Sequence, residues 1–261
     1  MKTALITGAS SGIGAIYAER LARRGYDLIL VARDAAKLSA LAARLEASSG
    51  RKVDTIAADL GVQADLRRVE QRLASDSGIA MLVNNAGLGA VKSLVDSTPE
   101  ELDTLINVNV TALTRLTRAA APGMVARGAG AIINISSIVA LKPELLNGVY
   151  GGSKAYVLAL SQSLHHELGD KGVQVQAVLP GAIATPFWDR AGHAVDNLPA
   201  EWVMTPEDLV DAALAGFDQG ELVTVPSLPD LDDYNRMEQA RHAMAGNLSR
   251  NKPAARYVTA A

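Results

Sequence analysis

The chain contains no cysteine, and several features that mark particular protein classes are also missing. Without cysteine there is no disulfide and no thiolate chemistry. No apolar run approaches the length of about 18 residues that a membrane-spanning helix needs. The net charge is only −3 and no basic block occurs, which argues against nucleic acid as a main partner. No histidine–carboxylate spacing indicates a metal site.

The first residues bear on where the protein resides. Strand character begins at Thr3, which leaves no room for a signal peptide. We therefore expect a cytoplasmic protein with no membrane partner. Its composition, 49% hydrophobic and 20% charged, is typical of a globular chain.

Short apolar runs alternate along the chain with longer segments of helical period. This alternation predicts a single-domain α/β Rossmann fold, a doubly wound parallel sheet of about seven strands with helices on both faces. Predicted strands cover Thr3–Thr7, Asp27–Ala32, Lys52–Ala57, Ala80–Val83, Ala131–Ser136, Val173–Leu179 and Leu222–Val225. Predicted helices cover Ile13–Arg24, Asp34–Ser48, Gln63–Ser75, Pro99–Arg127, Val149–Gly169 and Pro206–Gln219.

Two segments depart from this alternation. Residues 1–226 are expected to form the dinucleotide-binding and catalytic domain, and within it residues 185–204 are a candidate substrate lid. Residues 227–261 are expected to be a C-terminal extension of the same domain, helical over Asp232–Asn247. Phe187, Trp188, Trp202 and Met204 either line a substrate pocket or only pack the lid against the body.

A glycine-rich turn joins the first predicted strand to the first helix. Gly8, Gly12 and Gly14 let the backbone approach a phosphate, and the helix N-terminus supplies amide donors and positive potential. Ser10, Ser11 and Ile13 lie between these glycines. The turn therefore predicts a pyrophosphate-binding site, although a glycine-rich turn alone can also be a simple tight connection.

Residues after the second and third strands bear on the choice of cofactor. Arg33 follows the second strand directly, where it would pair with a 2′-phosphate and favour NADP over NAD. Asp34 is then better explained as the cap of the next helix. Arg33 could otherwise be a solvated surface charge. Asp59 and Leu60 follow the third strand and could meet the adenine, or Asp59 could be a turn or cap residue.

Tyr150 and Lys154 are spaced i and i+4, on one face of a predicted helix. A cation near a phenol favours the phenolate and so lowers the tyrosine pKa. Tyr150 is therefore the candidate general acid for carbonyl reduction, or the base for alcohol oxidation. A tyrosine and a lysine at this spacing also occur by chance on ordinary helices, so the pair indicates a catalytic site only together with the nucleotide-binding motif.

The ordered motifs resemble those of the short-chain dehydrogenase/reductase superfamily, in its compact branch with TGxxxGxG and YxxxK. The resemblance covers roughly residues 1–226 and rests on TGASSGIG (Thr7–Gly14), NNAG (Asn84–Gly87), Asn109 in NVNV, Ser136-Ser137, YGGSK (Tyr150–Lys154) and PGAIAT (Pro180–Thr185).

This resemblance implies roles for the matching residues. The active serine of the family lies 13 residues before the tyrosine, which selects Ser137 to hold the substrate oxygen, whereas Ser136 is structural. Lys154 would also bind the nicotinamide ribose, and Asn109 would hold a relay water, unless it is a surface or helix-kinking asparagine. The remaining cofactor contacts would come from Asn85, Ala86 and Gly87 along the dinucleotide, and from Pro180, Gly181, Ile183 and Thr185 near the carboxamide.

The sequence thus predicts an NADP(H)-dependent oxidoreductase that interconverts a ketone or aldehyde and an alcohol. Two alternatives remain open: an NAD-dependent alcohol dehydrogenase of the same family, and a catalytically silent NADP-binding regulator. The apolar bias of the lid suggests a hydrophobic small-molecule substrate. The resemblance further implies a homodimer or homotetramer built on the two long helices, Pro99–Arg127 and Val149–Gly169.

Overall fold

A seven-stranded parallel sheet organises the computed structural model, which describes residues 2–192 and 195–258. The strands run in the order β3-β2-β1-β4-β5-β6-β9. They are β1 (Thr3–Thr7), β2 (Asp27–Ala32), β3 (Val53–Ala57), β4 (Ile79–Asn84), β5 (Gly130–Ile135), β6 (Val173–Val178) and β9 (Val223–Thr224). The order reverses between β1 and β4, and a crevice at such a switch point is where open α/β sheets bind ligands.

Helices cover both faces of this sheet, as the Rossmann prediction requires. The α-helices are α1 (Gly12–Arg23), α2 (Ala35–Ser49), α3 (Gln63–Ser75), α4 (Pro99–Ile106), α5 (Leu113–Arg127), α6 (Gly148–Leu168), α7 (Phe187–Ala191), α8 (Pro206–Asp218) and α9 (Leu231–Ala243). Within the described residues, no helix combines the length and the apolar character that crossing a bilayer requires.

Alternate residues of each strand enter two separate cores. Ile6 and Leu28 lie in the core beneath α1, α2 and α8, whereas Leu5 and Ile29 lie in the opposite core beneath α3 and α5. All four side chains are at most 1% exposed. Burial on both faces explains why these strands appear in the sequence as continuous apolar runs rather than as alternating ones.

The helix predicted over Pro99–Arg127 forms with an irregular middle. A π-helical segment, Asn107–Ala112, separates α4 from α5. Such bulges insert one extra residue in a turn and often occur at functional sites. Here the segment contains Asn109, whose amide binds the backbone of Leu88 instead of facing solvent.

The candidate lid contains elements that the sequence did not predict. Two short strands, β7 (Ala182–Ile183) and β8 (Val203–Met204), pair in parallel and join the two ends of the segment. The helix α7 lies between them.

The chain divides into two compact units between Pro226 and Ser227. The sheet and helices α1–α8 belong to the first unit. The second contains α9 and ends in short 3₁₀ turns. That residues 227–261 extend the same domain stays a prediction.

Candidate active site

The glycine-rich turn between β1 and α1 packs against the loop that follows β4. A β-carbon added to Gly14 would lie 2.4 Å from the Gly8 carbonyl oxygen and 2.6 Å from Asn85 Nδ2. One added to Gly8 would lie 2.9 Å from Ala86 Cα, and Gly8 has φ +65°. Only glycine fits this geometry, because side chains would collide with backbone and would strain the left-handed residue.

The start of α1 is open to an anion. The N-cap residue Ser11 makes no side-chain cap, and the first turn contains no acidic residue. The amides of this turn can therefore donate to phosphate oxygens. Thr185 Cγ2 would be 3.0 Å from a β-carbon at Gly12, so the lid start adjoins the turn. The three glycines are thus required by the packing of the turn against the NNAG loop and the lid start, and this packing leaves the backbone amides at the start of α1 free of side-chain caps.

Thr7 joins the turn to the NNAG loop and was not recognised as a site residue from the sequence. Its hydroxyl accepts hydrogen bonds from the backbone amides of Asn85 and Ala86, each at 3.0 Å. Asn85 Nδ2 in turn donates to the carbonyls of Thr7 and Gly8. These hydrogen bonds therefore join the glycine-rich turn and the NNAG loop into one surface. Thr7 resembled an ordinary strand end, so only its place before Gly8 could have indicated this role.

Arg33 and Asp34 have separate roles beyond the end of β2. The Arg33 side chain is exposed and makes no hydrogen bond or ion pair within the described part of the chain. The Asp34 carboxylate caps α2 by accepting from the Lys37 amide at 3.0 Å. A guanidinium free of local partners is available to a phosphate, whereas the carboxylate is already engaged.

Asp59 and Leu60 follow the end of β3, and the side chain of each already has contacts within the protein. Asp59 Oδ1 accepts from the Gly61 amide at 2.9 Å, which is a turn contact. Leu60 is 8% exposed and packs in the core beneath α3 and α5. Their predicted contact with adenine stays a prediction.

Tyr150 and Lys154 lie side by side near the start of α6. Both side chains are buried, and the ammonium lies 5.8 Å from the centre of the phenol ring. Lys154 Nζ donates to the Ile135 carbonyl at 2.9 Å. The Ser137 hydroxyl is near enough to the phenol to lower the pKa of Tyr150. Ser137, Tyr150 and Lys154 therefore meet where the end of β5 adjoins the first two turns of α6.

The two adjacent serines after β5 have different partners. Ser136 Oγ donates to the Lys154 carbonyl at 2.7 Å, which is a structural contact. Ser137 Oγ donates to the Pro180 carbonyl at 3.3 Å and accepts from the Val139 amide. Ser137 is the serine that lowers the pKa of Tyr150, and its contact with a substrate oxygen stays a prediction.

Burial dominates the protonation of this pair. It raises the pKa of Tyr150 to about 12, and the nearby Ser137 hydroxyl opposes this only in part. Burial also lowers the pKa of Lys154 to about 8. The sequence argument expected the ammonium to lower the phenol's pKa. In the protein alone the direction is opposite, because desolvation penalises both charged forms.

Asn109 holds the loop after β4 against α6. Its Oδ1 accepts from the Leu88 amide at 2.8 Å, and its Nδ2 donates to the Leu88 carbonyl at 2.9 Å and to Ser153 Oγ at 3.2 Å. A β-carbon at Gly87 would lie 3.4 Å from Asn109 Oδ1 and 3.5 Å from Lys154 Nζ. The asparagine is 2% exposed, so it is no surface residue.

Asn147 was not recognised from the sequence. Its Oδ1 caps α6 by accepting from the amides of Val149 and Tyr150, and its Nδ2 donates to the Lys92 carbonyl at 2.6 Å. It is 5% exposed. An asparagine three residues before Tyr150 is a typical N-cap, and that signal could have identified it.

Apolar side chains surround the Tyr150 ring. Leu105 and Val139 share its buried cluster, against which Ala90, Leu146, Val149 and Phe187 pack. Phe187 lies 6.2 Å from Tyr150, ring centre to ring centre. Of the other lid candidates, Trp202 is 67% exposed and Met204 packs against the core beneath α1. Trp188 contacts Phe187 edge to face at 5.8 Å.

The segment after β6 closes the site from the other side. Pro180 is buried, and its carbonyl accepts from the Ile138 amide at 2.9 Å. Gly181 is half-buried, and Ile183 is buried, with its carbonyl accepting from Trp188 Nε1 at 3.0 Å. Among the residues that the structure describes, no group of three histidine, aspartate or glutamate side chains could hold a metal ion.

Comparison with known proteins identifies close similarities. A family model described as short chain dehydrogenase matches residues 2–196. A short-chain dehydrogenase from Sphingobium yanoikuyae, solved in complex with NADPH, is 50% identical at a TM-score of 0.96, and the match covers 99% of this chain and 100% of that one. The bulky-bulky ketone specific alcohol dehydrogenase from Comamonas testosteroni is 46% identical at a TM-score of 0.92, covering 99% of each chain.

More distant similarity extends to human proteins. Human 17-beta-hydroxysteroid dehydrogenase type 3 is 38% identical over 184 residues, which are 70% of this chain. The matched region spans only 59% of the length of that human protein.

Proposed function

The chain belongs to the short-chain dehydrogenase/reductase superfamily and is an oxidoreductase of a carbonyl/alcohol pair, and we propose that it reduces apolar ketones or aldehydes with NADPH. The observation that carries this proposal is that Lys154, beside Tyr150, adjoins the NNAG loop at Gly87, and that this same loop is hydrogen-bonded to the glycine-rich turn before α1.

The protonation of Tyr150 supports its role as general acid. A pKa raised to about 12 keeps the phenol protonated near neutral pH. Bound NADPH would supply the hydride that the carbonyl carbon accepts. Tyr150 would give its proton to the carbonyl oxygen, so that the alcohol forms, and the Ser137 hydroxyl would hold that oxygen. Lys154 would bind ribose hydroxyls and return a proton toward the phenol, with Asn109 beside it.

The preference for NADPH over NADH rests on Arg33. Its exposed guanidinium has no partner among the residues that the structure describes, and a bidentate contact to a 2′-phosphate suits that group. Asp34, the acidic residue that could select a 2′-hydroxyl, is engaged in capping α2. The Sphingobium relative was solved with NADPH, which agrees with this choice.

The predicted cofactor contacts form a continuous path. Gly8, Gly12 and Gly14, with Ser10, Ser11 and Ile13, would hold the pyrophosphate. Asn85, Ala86 and Gly87 would follow the dinucleotide toward Lys154, with Asp59 and Leu60 near the adenine. Pro180, Gly181, Ile183 and Thr185 would hold the carboxamide end.

The substrate class is inferred from the walls around Tyr150. On one side of the ring they are apolar, formed by Leu105, Val139 and Phe187, whereas Lys154 Nζ lies over the ring at 5.8 Å from its centre. A hydrophobic or aromatic ketone therefore fits better than a sugar or an acid. The name of the Comamonas relative, a bulky-bulky ketone specific alcohol dehydrogenase, points the same way. We further propose a homodimer or homotetramer, formed through α4–α5 and α6.

The test is NADPH oxidation, followed by absorbance, over a panel of aryl ketones, steroids, sugars and acyl thioesters. We expect turnover of apolar ketones, and a loss of about 10²–10⁴-fold in kcat for Tyr150→Phe with NADPH affinity unchanged. Tight NADPH binding without turnover of any substrate would instead favour the regulatory alternative. Unchanged turnover by Tyr150→Phe would refute the assigned general acid.

A further inference from the structure

The Phe187 ring occupies the space that a side chain at position 89 would need. A β-carbon built on Gly89 would lie 2.3 Å from Phe187 Cζ, 2.8 Å from Cε1 and 3.0 Å from Cε2. The tip of the ring therefore rests against the Gly89 backbone. Gly89 is not among the glycines with positive φ, so alanine could adopt its backbone conformation. The ring is the obstacle to a side chain at this position.

Other contacts fix Phe187 beside the reacting phenol. Its ring centre lies 6.2 Å from that of Tyr150, and it packs against the buried cluster of Leu105, Val139 and Tyr150. On the lid side, Trp188 contacts the Phe187 ring edge to face, and Trp188 is itself held by a hydrogen bond to the Ile183 carbonyl. Phe187 is thus the lid side chain that connects the loop after β4 with Tyr150.

We propose that Phe187, seated on Gly89, is a specificity-determining residue that limits the size of the substrate group lying beside Tyr150. The inference rests on the proposed ketone reduction and adds to it which contact sets the size limit. A phenylalanine-to-alanine change removes a whole ring from this wall. The vacated space matches the second ring of a diaryl substrate, and even one methylene in an apolar pocket changes discrimination by about 10–200-fold.

The experiment is a double-mutant cycle with two ketones of different size, acetophenone and benzyl phenyl ketone. Four proteins are compared: the wild type, Gly89→Ala, Phe187→Ala and the double variant. The measured quantity is the ratio of kcat/KM for the large ketone to that for the small one. Trp202→Ala is the matched control, because it removes a lid aromatic that is 67% exposed.

We expect Phe187→Ala to raise this ratio at least tenfold, and Trp202→Ala to change it less than twofold. Gly89→Ala should change the ratio at least threefold when Phe187 is present, because the new methyl group displaces the ring. It should change the ratio less than 1.5-fold in the Phe187→Ala background, where no ring remains to be displaced. If Phe187→Ala fails to fold, Phe187→Leu takes its place with the same expected direction.

Two results would overturn the inference: a ratio that Phe187→Ala raises less than threefold, or a Gly89→Ala effect that persists unchanged without the ring. Failure of the proposed function is distinguishable, since then neither ketone is turned over by any of the proteins. The size preference is in that case measured from the dissociation constants of the two ketones, by quenching of tryptophan fluorescence in the NADPH complex. The ratio of the two dissociation constants is then compared across the same four proteins, with the same fold-change limits as for kcat/KM.

Discussion

Replacing Lys154 with methionine should stabilise the cofactor-free protein at neutral pH. The lysine side chain is 6% exposed, and burial lowers the pKa of its ammonium to about 8. No described carboxylate forms an ion pair with it, and its recorded hydrogen bond goes to the Ile135 carbonyl. Methionine has a similar length and no charge, so it fills the same space without the cost of desolvating a cation.

The magnitude follows from the difference between the unfolded and folded pKa. The ordinary pKa of a lysine is 10.5 and that of the folded Lys154 is about 8. A pKa difference of one corresponds to about 1.4 kcal/mol, so desolvation opposes folding by about 3 kcal/mol. Lys154→Met also loses the hydrogen bond to the Ile135 carbonyl, and this loss offsets about 1–2 kcal/mol of the stability gained. Lys154→Met should therefore be more stable than the wild type by about 1–2 kcal/mol at pH 7.

The pH dependence has a definite sign. Between pH 8 and 10.5 the unfolded lysine still holds its proton while the folded one has lost it, so the unfolded state binds more protons. The stability of the wild type therefore rises with pH across this window. The penalty is complete below about pH 8 and is largely gone near pH 10. The advantage of Lys154→Met should accordingly shrink from pH 8 upward and vanish or reverse by pH 10.

The assay is urea unfolding of both cofactor-free proteins at half-unit steps from pH 7 to 10, followed by tryptophan fluorescence. Taking the difference between the two proteins cancels every other titrating group. Equal m-values at each pH would show that both unfold in the same way. A stability difference that stays constant from pH 7 to 10 would refute the reasoning, since the ammonium would then bear no desolvation penalty.

Three further predictions concern binding, chemistry and stability. Arg33→Ala should weaken NADPH binding about 10–100-fold and leave NADH binding unchanged, as measured by cofactor fluorescence; equal losses for both would contradict the assignment. Ser137→Ala should lower kcat about 10²–10³-fold with little change in NADPH affinity, and a wild-type kcat would exclude its contact with the substrate oxygen. Asn147→Asp keeps the acceptor that caps α6 but places a buried carboxylate oxygen against the Lys92 carbonyl, so it should be less stable than the wild type by about 1–3 kcal/mol. Asn147→Ala loses both contacts and should also be less stable, by about 1 kcal/mol for the cap alone; an Asp variant as stable as the wild type beside a destabilised Ala variant would reduce Asn147 to a cap.

The fold was predictable because nearly every element carries its own local signal. The run Asp27–Ala32 is apolar throughout and forms β2 with those bounds, since both faces of the strand are buried. Capping residues gave the helix starts in the same way, as Asp34 does for α2 and Thr98 for α4. These signals are local in sequence, so they can be recognised without knowledge of the tertiary contacts.

Elements that depend on distant contacts escaped prediction. The π-helical segment at Asn107–Ala112 adds one residue to a turn, which leaves composition and apolar spacing almost unchanged. The two-residue strands β7 and β8 are too short to show a period, and they exist because the ends of the lid meet. In both cases the stabilising partner lies elsewhere in the chain, as Leu88 does for Asn109.

Much of the candidate site follows from motif order, whereas its energetics do not. Tyr150 and Lys154 lie side by side because of their spacing on α6, and Ser137 at the end of β5 is near the phenol; the catalytic roles predicted for the three stay predictions. It missed Asn147, which acts through backbone groups, and it did not distinguish Phe187 from its lid neighbours. The exposed fraction of a side chain is a tertiary quantity, so the pKa direction of Tyr150 could not be read from spacing.

The raised pKa of Tyr150 changes how Tyr150 and Lys154 must work together. An exposed tyrosine–lysine pair would share charge, and the ammonium would make the phenolate easier to form. Here burial makes the phenolate harder to form and the ammonium easier to deprotonate; near pH 7 a phenol with a pKa of about 12 is neutral, whereas an ammonium with a pKa of about 8 is still mostly charged. A neutral phenol is the form that donates a proton to a carbonyl oxygen, whereas alcohol oxidation needs the phenolate. Because burial raises the pKa of Tyr150, oxidation should require either high pH or the positive charge of an oxidised nicotinamide near the phenol.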